Sequence, residues 1–259
     1  MFKFDENCSY RMPAHFGGSQ GSGLSNLFYK DVTAVGINYR TDKKQLEQYV
    51  PEAFEILEPL VMVGYQKCCG IQWMGGGHYT LINVATPAKH IASGEKGVFE
   101  LVVWENKTAP ILGGREETGI PKLFADIPDF HELDGHITAN ASHEGRVFLE
   151  LELVLQRSLT EAELAASSYQ VSQLGWRYIP NIGRPGAALS HATIYPVEVK
   201  CLSGSNANGK LAWIKANPKY NPAQARIINA LADLPILEYQ ECLFAKSSIN
   251  LRGDLAREL

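Results

Sequence analysis

Residues 60–85 read LVMVGYQKCCGIQWMGGGHYTLINVA: two apolar runs rich in β-formers, split by Met74-Gly75-Gly76-Gly77. Glycines tolerate the positive φ of a tight turn, so the pattern predicts two long strands folded into a hairpin. The same signature recurs on either side. Val32 to Tyr39 predicts a strand with Thr33, Val35, Ile37 and Tyr39 on one face, and Val98 to Glu105 predicts another. His136–Asn140 and Arg146–Gln156 flank a turn at Ser142-His143-Glu144-Gly145. In the second arm Val147, Leu149, Leu151, Leu153 and Leu155 recur at period two, as in a half-buried strand. Trp176–Ile179, His191–Leu202 and Leu237–Leu251 complete the strands, with Ser203 to Gly209 predicted as a flexible turn.

Helix signals are few. Thr41 or Asp42 caps a short helix that Pro51 ends, Thr160-Glu161-Ala162-Glu163 is a capping box, and Asn221-Pro222 opens a helix over Ala223–Ala232. Many strands with short peripheral helices, and no strand-helix alternation, predict a mainly β (α+β) fold: a large antiparallel barrel or strongly curved sheet. One domain over residues 1–259 is expected, with residues 1–26 as a glycine- and serine-rich N-terminal arm.

A net charge of −4 and the lack of any lysine and arginine run argue against a nucleic-acid surface. No apolar run approaches the ~20 residues of a membrane span, and the first residues lack a signal-peptide core. A cytoplasmic protein with a small-molecule partner is expected. Five cysteines without metal spacing predict reduced, mostly buried thiols and no metal site. Gly17-Gly18-Ser19-Gln20-Gly21 fits a hydrolase elbow without the strand and helix that chemistry needs. His131, Glu132 and His136 lack the spacing of a zinc helix. No cofactor is implied.

One segment carries a mechanism. In Gly113-Gly114-Arg115-Glu116-Glu117-Thr118-Gly119-Ile120-Pro121-Lys122-Leu123-Phe124, a lysine stands among apolar residues. Desolvation disfavours the charged form, and a neutral amine attacks a carbonyl carbon to form a Schiff base. The alternative is a lysine that snorkels from a turn.

Gly114-Arg115-Glu116, four residues, then Pro121-Lys122 resembles the signature around the Schiff-base lysine of the acetoacetate decarboxylase superfamily. Tyr39-Arg40-Thr41-Asp42, Val50-Pro51, Glu58-Pro59-Leu60-Val61, Tyr178-Ile179-Pro180-Asn181 and Asp233-Leu234-Pro235 resemble further landmarks in the same order. The resemblance implies a conical antiparallel barrel with Lys122 in an apolar central cavity, and a homo-oligomer, a tetramer or larger. It also exposes departures. Positions where decarboxylases carry charged residues fall here on Val32, Gly64, Leu81 and Leu123, so the charges from neighbouring strands are expected to be missing, and desolvation alone is expected to activate the lysine.

The expected activity is therefore that of a lysine Schiff-base lyase acting on 2-oxo acids such as pyruvate, of aldolase-dehydratase or hydratase type. Acetoacetate decarboxylation is the alternative, and a non-catalytic small-molecule-binding barrel the alternative of another class. Beside Lys122, Glu116 is the expected catalytic partner, with Arg115, Thr118, Tyr79 and Glu241 as substrate-binding or proton-carrying candidates.

Overall fold

The structure, a computed structural model, describes residues 1–20 and 24–259; Gly21 to Gly23, within the predicted arm and hydrolase-like motif, lie outside the described residues. Strands hold 55% of the chain and helices 16%, so the mainly β expectation stands. The central hairpin forms as read: strands Leu60–Ile71 and Gly77–His90 pair antiparallel, and the turn passes through Gly75 and Gly76 at φ 63° and 87°, where a side chain would be strained.

Outward from that hairpin the sheet runs on both sides until it meets itself. Leu60–Ile71 pairs with Asn26–Arg40, which pairs with Cys242–Arg252, which pairs with Ala187–Trp213. On the other flank Gly77–His90 pairs with Lys96–Glu105, and that strand meets Tyr169–Pro180. Tyr169–Pro180 then pairs with Ala187–Trp213 from Tyr169↔Val199 to Pro180↔Ala187, which closes the ring. Closure covers the strand edges of the ring except along Tyr169–Pro180, of which only Gln173 and Leu174 pair with Lys96–Glu105. The ring is not wholly antiparallel: the junction of Tyr169–Pro180 with Lys96–Glu105 is a short parallel contact, Gln173↔Val98 and Leu174↔Phe99.

The predicted turn at Ser203 to Gly209 is instead the middle of the 27-residue strand Ala187–Trp213. This strand changes partners as it goes, from Tyr169–Pro180 to Cys242–Arg252 to Arg146–Ser158, with a register shift between Cys201 and Ser203. The glycines serve close approach there and not a reversal. A Cβ on Gly204 would stand 2.8 Å from the Phe244 carbonyl oxygen, and one on Gly209 would stand 2.9 Å from Cys242 Sγ.

The capping box at Thr160 forms, with Thr160 Oγ1 accepting the Glu163 N–H and the Glu163 carboxylate accepting the Thr160 N–H, at the head of helix Glu161–Ala166. Helix Ala225–Asp233 starts two residues later than predicted, because Asn221 Oδ1 first accepts the Gln224 N–H in a preceding turn. Its Ala225, Ile228 and Leu231 are buried, and the last two join a cluster containing Trp104, Phe148, Leu149 and Leu151. Each such large side chain contributes about 1.5–3 kcal/mol by leaving water. This core lies on one side of strand Lys96–Glu105, which leaves the opposite side for a cavity.

Candidate active site

The lysine motif is a helix, a stop and a short strand. Helix Thr108–Thr118, a segment to which the sequence analysis assigned no element, ends at Gly119, whose φ of 71° lets its N–H turn back to the Gly114 carbonyl. Pro121 then leads into strand Lys122–Phe124, which pairs parallel with Lys96–Glu105 in the register Val103↔Lys122. Gly114 has a specific task. A Cβ there would lie 2.4 Å from Lys122 Cε and 2.5 Å from Cδ, so only a glycine lets the lysine stem lie flat against the helix.

Lys122 Nζ donates to Glu105 Oε1 at 2.8 Å and to the Pro110 carbonyl at 3.2 Å. Its side chain is 14% exposed and that of Glu105 is fully buried. Burial raises the proton affinity of Glu105, and the Lys122 charge opposes that rise. Among the described residues Glu105 Oε2 has no hydrogen-bond partner. The expectation of a lysine desolvated in purely apolar company is thus corrected. The lysine stands beside a buried carboxyl group supplied by the neighbouring strand.

A second carboxyl group comes from the same strand by way of a bulge. Strict alternation from Glu105 through Val103 would put Leu101 and Phe99 on the cavity face. The register shift that pairs Val84 with Val102 but Ala85 with Glu100 reverses the phase, and Glu100 and Val98 face the cavity with Val103 and Glu105. Glu100 is 1% exposed and is pushed up to about 8 by burial, against the lowering effects of its bond from Gln173 Nε2 (3.0 Å), of the Lys122 charge and of the neighbouring Asn83 amide. The cavity measures about 490 Å³. Besides these groups its wall includes Tyr29, Tyr79, Asn83, Thr118, Tyr195 and, at one end, Arg11.

The positions read as uncharged are so, and one of them is used. Asn83 faces Gly64 across the hairpin, and a Cβ on Gly64 would stand 2.4 Å from Asn83 Oδ1, so the glycine makes room for the amide. Val32 is fully buried in a cluster with Tyr29, Cys68, Ile71 and Tyr79. Leu123 packs with the large core.

The other named candidates divide by helix geometry. Arg115 is exposed and donates from Nη1 to the Lys122 carbonyl at 2.9 Å, so it pins the strand that carries the lysine but does not reach into the cavity. Glu116 follows on the same turned-away side and is not among the described residues lining the cavity. Thr118 does line it, but its Oγ1 donates to the Gly114 carbonyl at 2.9 Å. Tyr79 lines it as well, its hydroxyl 3.0 Å from that of Tyr29, and burial drives its ionisation far up. Glu241 lies at a different surface hollow with Gln156 and Arg157.

Sequence reasoning also missed Glu117 and Arg11. Glu117 lines the cavity and accepts from Arg11 of the N-terminal arm, with Nη2 to Oε2 at 3.0 Å. The signal was available in the helical period, since Glu117 stands three residues after Gly114. The arm itself forms a small separate hairpin, Cys8–Ser9 with Ser19–Gln20, and the hydrolase-like Ser19 sits in that two-residue strand and not in an elbow. All five cysteines are free thiols. Among the described residues no three metal-ligating side chains gather, and no helix is long and apolar enough to cross a membrane.

Comparisons with known proteins identify relatives of both the sequence and the fold. The acetoacetate decarboxylase of Burkholderia cenocepacia J2315 is 35% identical over 223 residues, 83% of this chain and 81% of its own length. That of Burkholderia vietnamiensis is 26% identical over 231 residues, 86% and 85%. Among solved structures, acetoacetate decarboxylase from Legionella pneumophila superposes with a TM-score of 0.77 at 20% identity, covering 91% of this chain and 88% of that one. The enduracididine biosynthesis enzyme MppR, bound to the condensation product of pyruvate and imidazole 4-carboxaldehyde, gives 0.75 at 15% identity, covering 98% and 97%. The profile of the acetoacetate decarboxylase family (ADC) matches residues 11–254, nearly the whole closed sheet and its lysine motif, and the chain belongs to that family of enzymes.

Proposed function

We propose that this protein is a Schiff-base lyase in which Lys122 condenses with a 2-oxo acid such as pyruvate and Glu105 carries the protons. The observation that carries this reading is the 2.8 Å contact between Lys122 Nζ and a fully buried carboxylate inside a cavity. Burial makes Glu105 a better proton acceptor than a solvated glutamate, so it takes a proton from the ammonium and frees the amine. The nitrogen lone pair adds to the ketone carbon. The carbonyl oxygen collects protons, one of them from Glu105, and leaves as water. Glu105, again a carboxylate, removes a proton from the carbon next to the iminium, and the C–H electron pair moves into the enamine. That carbon attacks an aldehyde, whose oxygen takes the proton held by Glu105 and becomes a hydroxyl; Glu105 then removes a second proton from the same carbon and passes it to the hydroxyl, which leaves as a second water while the carbon–carbon double bond forms. Hydrolysis of the imine returns Lys122. Run backwards from the enone, the cycle is a hydration. The MppR complex supports this reading, as a fold relative whose bound molecule is a pyruvate–aldehyde condensation product.

A second reading, acetoacetate decarboxylation, is favoured by the relatives up to 35% identical. It uses the same imine but breaks the bond to the carboxylate and releases carbon dioxide. The uncharged residues at 32, 64, 81 and 123 weigh for the first. The test is turnover of purified protein with pyruvate plus an aldehyde, followed as enone absorbance, beside carbon dioxide release from acetoacetate. Enone formation with little carbon dioxide is expected; rapid decarboxylation without condensation would overturn the proposal.

A further inference from the structure

The mechanism above uses Lys122 and Glu105 and leaves Glu100 idle, although Glu100 is the costlier group to bury because no cation pairs with it. Its Oε1 accepts from Gln173 Nε2, the Asn83 amide is a hydrogen-bonding neighbour of the carboxyl, and among the described residues Oε2 makes no well-formed hydrogen bond. Asn83 Oδ1, likewise without a well-formed hydrogen bond among the described residues, belongs to the same cavity wall and stands in the space left by Gly64. Buried polar atoms are nearly always matched, so a cluster of unmatched ones in a cavity is a place waiting for a polar group. Glu100 lies three residues from Val103, the register partner of Lys122, or ~10 Å at ~3.3 Å per residue along the strand. Lys122 Nζ reaches to Glu105, on the other side of Val103, so the amine and Glu100 lie apart along the strand. A cavity of about 490 Å³ falls in the ~300–1,000 Å³ class that holds larger ligands.

We propose that Glu100, Asn83 and Gln173 form a specificity subsite that holds a neutral hydroxyl or amide at the far end of the substrate, as both donor and acceptor, and disfavours a second carboxylate. Glu100, protonated on Oε2, donates, and Asn83 Oδ1 accepts. A far carboxylate finds no free cation among the described residues of the wall, because Lys122 is engaged by Glu105 and Arg11 by Glu117. The other ionisable groups on the wall stay neutral: burial pushes up Cys68, Tyr29, Tyr79, Tyr169 and Tyr195. The carboxyl of Glu100 is itself held up to about 8, so the donor is present at neutral pH and lost above it.

This inference names the substrate class for the chemistry proposed above, and its test separates the two. Dissociation constants are measured by calorimetry for five- and six-carbon 2-oxo acids ending in methyl, hydroxyl or carboxylate, with 2-oxoglutarate and 2-oxoadipate as the last kind. The proteins are the wild type, Glu100→Gln, Glu100→Leu and Lys122→Ala, the last reading binding without an imine. The hydroxyl-ended acids are expected to bind at least about tenfold more tightly than either other kind, the worth of one well-made buried hydrogen bond. Above pH 8 the preference over carboxylate-ended acids should widen in the wild type, where Glu100 ionises and repels them, and stay level in Glu100→Gln, while the preference over methyl-ended acids should vanish in Glu100→Leu. Equal binding of all three ends by the wild type, or a preference that ignores pH, overturns the subsite even if pyruvate is trapped on Lys122. A hydroxyl preference in a protein that never forms an imine upholds the subsite and removes the Schiff-base reading instead.

Discussion

Glu100→Gln is expected to stabilise the protein in alkaline solution and to leave it nearly unchanged in acid. The magnitude follows from linkage. Below the ordinary value of 4.5 the carboxyl is protonated in both folded and unfolded chains, and stability is complete. Between 4.5 and about 8 the unfolded chain releases the proton while the folded chain keeps it, so stability falls as pH rises, and above about 8 the loss is complete. At ~1.4 kcal/mol per pH unit the gap is worth about 5 kcal/mol. Glutamine carries no such cost and keeps an oxygen for the Gln173 donor. Glu105 is raised as well, but it is present in both proteins and cancels from the difference. Urea unfolding at pH 5, 7 and 9 measures this, with unchanged m-values as the check on two-state behaviour. The variant should match the wild type within ~1 kcal/mol at pH 5 and exceed it by several kcal/mol at pH 9. Parallel stability profiles across that range would show that Glu100 is solvated or paired, and the reasoning about the cavity would fail.

Other outcomes are equally specific. Lys122→Ala should abolish turnover while the fold persists, but it leaves Glu105 without its cation, so stability should drop increasingly as pH rises, by up to ~3–5 kcal/mol; adding Glu105→Gln should restore it, as denaturant titration will show. Gly114→Ala places a methyl group against the Lys122 stem and should slow imine formation at least about tenfold, while circular dichroism stays unchanged because alanine suits a helix. The protein is expected to be a homo-oligomer, with the exposed Tyr178, Ile179 and Ile182 near the tip of the Tyr169–Pro180 hairpin as apolar surface to cover; a monomer by light scattering at micromolar concentration would contradict that.

The elements legible in the sequence were those whose signal is local. The Gly75-Gly76 turn and the capping box at Thr160 formed as read, and the period-two run holds from Leu149 to Val154, although Phe148 before it is buried as well. Helix Thr108–Thr118 escaped because Pro110, Gly113 and Gly114 weaken its local signal, whereas its shape is fixed by packing against Lys122. Lys122 was found from its motif, but its carboxylate was not. Glu105 is adjacent only through a parallel pairing of distant segments, and Glu100 reaches the cavity only because a bulge reverses the face on which alternation would place it. Glu116 and Arg115 were attractive by sequence proximity alone, and one residue along a helix is a rotation of about 100° away from the site.

The central claim is that Lys122 is the nucleophile, and borohydride reduction in the presence of pyruvate tests it directly. The account predicts irreversible loss of activity and one carboxyethyl group, located by peptide mass spectrometry on Lys122 and absent from Lys122→Ala. An unmodified Lys122 after reduction, or a label on another lysine, would contradict it.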